Sequence, residues 1–176
     1  MNLEHVNSEK IVKGTVLLSP GQPCNAGFRV VRGCLKSYVI DSSGKEHILQ
    51  FAPEDWLVAD LEGLTKKTVS KIFVEAVEDS EIQIVTRDSM PEIELLDKEV
   101  LIEMNLKFRN SLIATHNRLI SLLSGTAEER YLEFTNTYPA LIQRLPQKLI
   151  ASYLGMTPEH LSYTRGKLAK KSDSIS

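Results

Sequence analysis

The sequence lacks the features that place a protein in a membrane or mark it for secretion. Among its 176 residues, no apolar run approaches the ~18 residues that a membrane-spanning helix requires. The N-terminal stretch MNLEHVNSEK has no apolar core of the signal-peptide type. Because 42% of the residues are hydrophobic, the chain can still bury a core. We expect a cytoplasmic protein with no membrane partner.

Cysteine and histidine are scarce, and their placement excludes several kinds of site. Cys24 and Cys34 are too few for a disulfide scaffold or a four-thiolate iron–sulfur site, so we expect both to be small buried residues. None of the four histidines stands at metal-ligand spacing from a second ligand, which predicts no metal and no cofactor. The sequence also has no nucleophile elbow, phosphate-binding glycine loop or paired-carboxylate signature, and so does not indicate an enzyme.

Positive charge is low overall but concentrated in one segment. The net charge is −2, which by itself argues against a nucleic-acid partner. Residues 144–171, however, carry six basic side chains and one acidic side chain, a net +5 that leaves −7 for the rest of the chain. The basic residues are Arg144, Lys148, Arg165, Lys167, Lys170 and Lys171. This asymmetry predicts an anion-binding region on an acidic body, with a merely solvated lysine-rich terminus as the alternative.

The first half of the chain has the composition of β-strands. Five short apolar or β-branched segments lie between residues 11 and 88: IVKGTVLL, FRVVRGCLKSYVI, EHILQF, SKIFVEAV and EIQIV. Turn residues separate some of them, with Pro20-Gly21 as a turn dipeptide and 41–44 (DSSG) as a hairpin loop. This spacing predicts a closed β-sandwich or barrel.

A long helix is predicted next. Met90-Pro91 is typical of a helix start, and apolar residues then recur at steps of three and four until about Ser124-Gly125. About 30 residues at ~1.5 Å each make a rod of roughly 45 Å, which usually packs against a second copy. The alternative is a helix that lies across its own β-domain. The predicted dimer interface comprises Leu96, Val100, Met104, Phe108, Leu112 and Leu119.

Short helices are predicted in the last third. Thr126 and Glu129 have the spacing of a capping box after the break at Gly125. Tyr138-Pro139 and Leu145-Pro146 interrupt the helical pattern again, so we expect three short helices here.

The segment from Leu145 to Arg165 has the pattern of a helix-turn-helix. Ala151 is small enough for two helices to cross closely, and Gly155 can adopt the positive φ that the turn requires. Thr157 is a suitable N-cap for the second helix, and Pro158 tolerates its first position. The inward-facing positions are Leu149, Ile150, Tyr153, Leu154, Met156 and Leu161. The alternative is an ordinary helical hairpin.

A major groove would be available to the outer side of this motif. The predicted DNA-binding residues are Gln147, Lys148, Thr157, Pro158, Glu159, His160, Ser162, Tyr163, Arg165, Lys167, Lys170 and Lys171. We expect Lys148, Lys167, Lys170 and Lys171 to contact phosphates, whereas four residues of the second helix face bases. Those four are Glu159, His160, Ser162 and Tyr163.

These patterns together resemble the Crp/Fnr superfamily of bacterial regulators, particularly the short variants common in Bacteroidetes. In the first half the resemblance rests on 13–14 (KG), 20–21 (PG), 30–36 (VVRGCLK), 41–46 (DSSGKE) and Phe51. In the last third it rests on 145–147 (LPQ), 151–159 (ASYLGMTPE) and 161–162 (LS). The combination covers nearly the whole chain.

The resemblance implies an α+β architecture. Residues 1–90 would form a double-stranded β-helix (jelly-roll) sensor domain of the cyclic-nucleotide-binding type. Residues 91–125 would form the dimerisation helix, and residues 126–176 a helix-turn-helix reader. Because few residues follow Lys171, we expect its wing to be reduced or absent. The implied partners are DNA and a second copy of the chain, with RNA polymerase as a further candidate.

The implied effector pocket departs from the nucleotide-binding pattern. Members that bind cyclic nucleotides have a Gly-Glu pair and an Arg-Ser pair here, whereas this chain has Ala59-Asp60 and Ser70-Lys71. A lysine supplies charge but not the bidentate guanidinium fork that a cyclic phosphate favours. We therefore expect a different small effector, or none. The candidate pocket residues are Ala59, Asp60, Leu61, Ser70 and Lys71.

The reader departs from the family pattern at Tyr163, where an arginine usually contacts a guanine edge. Tyrosine cannot make that bidentate contact, so we do not expect the family's usual guanine contact at this position. The sequence favours a dimeric DNA-binding transcription regulator. The alternative is a ligand sensor or interaction protein that has lost sequence-specific DNA binding.

Overall fold

A computed structural model describes residues 7–87 and 96–173 of the chain, which divides into two units at Leu101 and Ile102. Within the described part, eight antiparallel strands and one short helix form the first unit. They are β1 (Ser8–Ile11), β2 (Val16–Leu18), β3 (Ala26–Arg32), β4 (Leu35–Ile40), β5 (Glu46–Ala52), β6 (Leu57–Val58), α1 (Leu61–Lys66), β7 (Phe73–Ala76) and β8 (Ser80–Thr86).

Two four-stranded sheets make up this unit, in the orders β1-β8-β3-β6 and β2-β7-β4-β5. Side chains from both sheets form one apolar core, which includes Val30, Leu35, Val74 and Ile82. This is the jelly-roll-like arrangement expected from the sequence. Cys24 and Cys34 are unbridged thiols and are buried, as expected.

Two of the predicted strands are each divided into two. The segment 28–40 turns at Gly33, where φ is +99°, so that β3 and β4 lie in different sheets. The segment 11–18 turns at Gly14, where φ is +84°. Apolar composition predicted the strands correctly but did not mark these turns, because one glycine within a strand pattern also fits a bulge. Strand β6 was missed because it has only two residues.

The predicted hairpin at 41–44 is confirmed between β4 and β5. The carboxylate of Asp41 accepts hydrogen bonds from the backbone N–H groups of Ser43 (2.8 Å) and Lys45 (3.1 Å). Gly44 adopts a φ of +83° at the end of the turn. An aspartate at the start and a glycine at the end therefore set this loop, as the turn pattern predicted.

The long helix, α2 (Lys98–Ser124), has 27 residues and ends where the sequence predicted. The predicted start at Met90-Pro91 lies outside the described residues. Leu96 is described and occupies a bend, so this predicted interface residue precedes the helix rather than lying on it. No residue of α2 is fully buried in the single chain.

Four helices rather than three follow α2: α3 (Ala127–Thr137), α4 (Leu141–Arg144), α5 (Gln147–Tyr153) and α6 (Pro158–Asp173). The extra element, α4, is a single turn between the two predicted breaks. The capping box at the start of α3 is confirmed, since Thr126 and Glu129 bond reciprocally. Among residues 96–173 there is no strand, so the described part of the reader has no wing hairpin.

The turn at Gly33 generates a stability prediction. A Cβ at Gly33 would lie 2.3 Å from Ser80 Oγ and 2.8 Å from Ser80 Cα, whereas a Cβ at Gly14 would meet nothing within 4 Å. Both glycines have positive φ, which costs alanine about 1–2 kcal/mol. We expect Gly33→Ala to lower the free energy of unfolding by about 1–3 kcal/mol more than Gly14→Ala does. Urea titration of both variants measures the difference, and equal losses would contradict the packing at Ser80.

Candidate functional site

The turn between α5 and α6 has the local geometry of a helix-turn-helix. Gly155 adopts a φ of +65°, and the N–H of Met156 donates to the carbonyl of Ala151 at 3.0 Å. Ala151 is completely buried, as expected for a small residue at a close helix crossing. Met156 also points into the core of the unit. The predicted roles of these three residues in the turn are therefore confirmed.

The start of α6 is fixed by the two residues that the sequence predicted. Pro158 is its first residue, where the missing N–H costs no hydrogen bond. Thr157 caps the helix, because its Oγ1 accepts a hydrogen bond from the N–H of His160 at 3.2 Å. The cap places the first turn of α6 at the surface, where Glu159 and His160 are both exposed.

One side of α6 is buried, and the opposite side therefore faces outward. Leu161 and Thr164 are almost inaccessible, and the Thr164 hydroxyl is satisfied by the carbonyl of His160 at 2.9 Å. Leu168 is half-buried on the same side. All twelve predicted DNA-binding residues are exposed, and Tyr163 retains 71% of its surface. The predicted set is therefore placed on the surface.

One basic residue of α6 pairs with an acidic residue of another helix. The helix continues to Asp173, so Lys170 and Lys171 lie in its last turn rather than in a separate tail. Lys167 forms an ion pair with Glu128 of α3. Hydrogen bonding and charge from Glu128 raise the pKa of Lys167, so its ammonium is already engaged within the reader. The sequence placed Lys167 among the phosphate contacts because the acid that meets it is 39 residues away.

The candidate effector residues come together around Asp60. Its carboxylate accepts hydrogen bonds from the backbone N–H of Gly63 (3.0 Å) and of Lys71 (2.9 Å), and from the hydroxyl of Ser70 (3.1 Å). Both Asp60 and Ser70 are buried. Burial opposes ionisation of Asp60, but these hydrogen bonds outweigh it and lower the pKa. The Asp60 carboxylate thus engages the N–H groups of Gly63 and Lys71 and the hydroxyl of Ser70.

The other candidate effector residues are less suited to hold an anion. The ammonium of Lys71 pairs with Glu62 Oε2 at 2.7 Å, and this contact raises the pKa of Lys71. Leu61 is exposed. Ala59 packs beside β3, because a Cβ placed on Gly27 would lie 3.1 Å from the Cβ of Ala59. The sequence suggested Lys71 as the anion-binding residue, but it could not identify Glu62 as its neighbour.

The dimer stripe predicted on α2 is partly exposed in the single chain. Phe108, Leu112 and Leu119 each expose more than half of their surface. Val100 and Met104 are half-buried. A second group of exposed apolar residues on α2 was not singled out from the sequence; it comprises Ile102, Leu106, Ile113 and Ile120. At about 100° per residue, this group lies roughly 140° around the helix from the first.

The described residues form neither a metal site nor a membrane-spanning helix. No three His, Cys, Asp or Glu side chains come together there as a metal site. None of the helices in this part of the chain combines the length and apolarity that crossing a membrane requires.

Comparison with known proteins agrees with this geometry. Residues 8–94 match the family of cyclic nucleotide-binding domains. The curated proteins give no significant match to the sequence.

The whole chain has the fold of the CRP/FNR-family regulators. It matches FixK2 of Bradyrhizobium japonicum with a TM-score of 0.76 at 20% identity, over 95% of this chain and 86% of that one. A CRP/FNR-family transcriptional regulator of Thermus thermophilus gives 0.68 at 18%, over 94% and 87%. The c-di-GMP responsive regulator CLP of Xanthomonas campestris gives 0.74 at 13%, over 97% and 89%. At these identities the likeness establishes the fold.

The environment of Asp60 generates a binding prediction for this cyclic nucleotide-binding domain. Cyclic AMP should bind weakly or not at all, because Asp60 fills the amide donors and repels a phosphate, and because Ser70 supplies no guanidinium. Calorimetric titration of the purified protein with cyclic AMP checks this. A low-micromolar dissociation constant would show that the carboxylate is displaced and would contradict the prediction.

Proposed function

We propose that the protein is a dimeric DNA-binding transcription regulator of the Crp/Fnr type. The observation that carries the proposal is the capped, exposed outer side of α6. Leu161 and Thr164 hold the opposite side in the core, so the outer side of the helix would be available to a major groove. The CRP/FNR fold of the whole chain supports the same function.

The charges of the reader suit a nucleic-acid surface. The +5 segment ends in Lys170 and Lys171, which are exposed in the last turn of α6. Lys148 is exposed on α5. These cations would contact phosphates and position the helix, and the residues of the first two turns would contact base edges. Lys167 contributes less than expected, since Glu128 already neutralises much of its charge.

In the proposed dimer, a second copy of the chain packs against the exposed apolar residues of α2. Phe108, Leu112 and Leu119 recur at steps that fit a heptad seam, and they are exposed in the single chain. Large apolar side chains in a row are unfavourable in water and favour association. A two-fold dimer would present two copies of α6 about one DNA turn apart, ~34–36 Å, which suits a near-palindromic site.

The proposed effector is a small molecule other than cyclic AMP, or none. The carboxylate of Asp60 acts as an internal substitute for the effector anion, because it takes donors from Gly63, Ser70 and Lys71. CLP, a protein of the same fold, responds to a cyclic dinucleotide by its own description. Effector chemistry therefore need not follow from this fold.

Tyr163 supports one alternative function. It is highly exposed on α6 and has no guanidinium for a guanine edge. A sensor or interaction protein that has lost sequence-specific DNA binding would keep the same fold. DNA recovery from the organism's own genome distinguishes the two functions.

The apolar seam on α2 generates a prediction for association. Phe108→Glu should convert the dimer into a monomer, because the new carboxylate would be buried unpaired in the interface. Lys107→Gln is the matched control, because Lys107 lies on the neighbouring side of the helix, outside the seam. There it pairs with Glu103. Sedimentation at tens of micromolar measures both. A monomeric wild-type protein, or equal loss in the control, would contradict the seam.

The charges of α6 generate a prediction for DNA affinity. Each neutralised phosphate contributes about −0.9 to the slope of log K against log salt concentration. A dimer with three or four such contacts per subunit should give roughly −5 to −7. Lys170→Gln or Lys171→Gln should weaken all sequences alike and flatten the slope. Lys45→Gln, in the β4–β5 hairpin, is the control and should leave the slope unchanged.

Residues of the first turns of α6 should behave differently from these lysines. Replacing His160 or Tyr163 by alanine should change which sequences bind, at about 1–3 kcal/mol for a lost base contact. Fluorescence anisotropy on matched and scrambled duplexes at several salt concentrations separates the two effects. If all four substitutions weakened every duplex equally, α6 would position the protein without reading bases.

A further inference from the structure

A cavity of about 160 Å³ lies within the second unit, among α2, α3 and α5. Its walls carry both charged and aromatic groups. The lining residues that matter here are Asn117, Arg118, Ser121, Arg130, Tyr138 and Tyr153. None of these six belongs to the proposed DNA-binding set or to the predicted dimer stripe, so the proposed function leaves the cavity unused.

Arg118 supplies a positive charge to one wall of the cavity. Its guanidinium carbon lies 4.0 Å from the centre of the Tyr153 ring, and its Nη2 donates to the carbonyl of Tyr153 at 3.1 Å. Burial lowers the pKa of Arg118, although electrostatic interactions with Tyr153 and Tyr138 oppose that effect. An arginine remains protonated despite such a shift. The cavity therefore keeps a partly dehydrated cation in a fixed orientation.

Arg130 supplies a second cation from α3. Its Nε is buried and has no hydrogen-bond partner among the described residues, which is unfavourable for a donor. A Cβ placed on Gly155 would lie 3.5 Å from Nη1 of Arg130, so this side chain packs against the turn of the helix-turn-helix. Glu133 is the single carboxylate among the lining residues, which leaves two guanidiniums against one acid.

The remaining wall is aromatic. Phe134, Tyr138 and Tyr153 lie with ring centres 5.4 to 6.0 Å apart in tilted and edge-on pairs. These rings offer apolar surface beside the two guanidiniums. A cavity of about 150 Å³ lined by apolar side chains takes up benzene, so a single aromatic ring fits this volume.

We infer that this cavity binds a small one-ring carboxylate. The carboxylate would accept hydrogen bonds from Arg118 and Arg130, and the ring would lie against the aromatic cluster. Two guanidiniums select the anion, and the small volume excludes a nucleotide. The bound molecule would contact α2 and also Arg130, which packs against Gly155. This places an effector site in the reader, apart from the pocket of the β-sandwich.

Benzoate is the probe for this site, and binding is measured by calorimetry on the full chain without DNA. Failure of the site is therefore distinguishable from failure of DNA binding. We expect saturable binding of one benzoate per chain, and binding at least about tenfold weaker for benzyl alcohol, which keeps the ring but lacks the charge. Acetate, which lacks the ring, should also bind at least about tenfold more weakly.

Three variants locate the binding. Arg130→Gln should weaken benzoate binding by about tenfold or more, since a charge-assisted hydrogen bond is lost. Ser121→Leu keeps both cations but fills the cavity, and should abolish binding even if Arg130→Gln fails to fold. Arg32→Gln removes an exposed arginine of β3 and should leave the affinity unchanged.

Four outcomes would overturn the inference. They are no benzoate binding at about 10 mM, equal affinity for benzyl alcohol, unchanged affinity in Ser121→Leu, and equal weakening in Arg32→Gln. Binding of inorganic phosphate in place of benzoate would also contradict it, because that result assigns the arginines to a different anion.

Discussion

The orientation of α6 is the constraint on which the proposed function depends. Ala151 lets α5 and α6 cross closely, and Leu161 and Thr164 then fill the space on the inner side of α6. Since both are nearly inaccessible, rotating α6 would expose them and bury charged residues instead. The same contacts that stabilise the reader therefore determine that Glu159, Tyr163 and their neighbours face outward. Stability and the proposed DNA contact use opposite sides of one helix.

A second constraint operates in the β-sandwich, where a buried carboxylate is held by neighbouring hydrogen-bond donors. Asp60 is buried, yet its carboxylate remains charged because two backbone N–H groups and the hydroxyl of Ser70 stabilise it. An effector anion at this place would have to displace a group that is tethered to the chain and already oriented. These contacts lie within the segment that matches the cyclic nucleotide-binding domains.

The sequence predicted regular features better than contacts between distant residues. The capping box at Thr126, the positive φ of Gly155 and the start of α6 at Pro158 are local, and all three are confirmed. The sheet change at Gly33, the pairing of Lys167 with Glu128 and the cavity around Arg118 depend on residues far apart along the chain. Periodicity in one segment contains no information on such partners, so a single sequence could not predict them.

The most direct test of the central claim is recovery of the genomic DNA fragments that the purified protein binds at low salt. A dimer that presents two copies of α6 predicts enrichment of near-palindromic sites whose half-sites lie about one helical turn, roughly 10–10.5 base pairs, apart. Recovery of no fragment above background would contradict the regulator proposal and favour a sensor or interaction protein that has lost sequence-specific DNA binding.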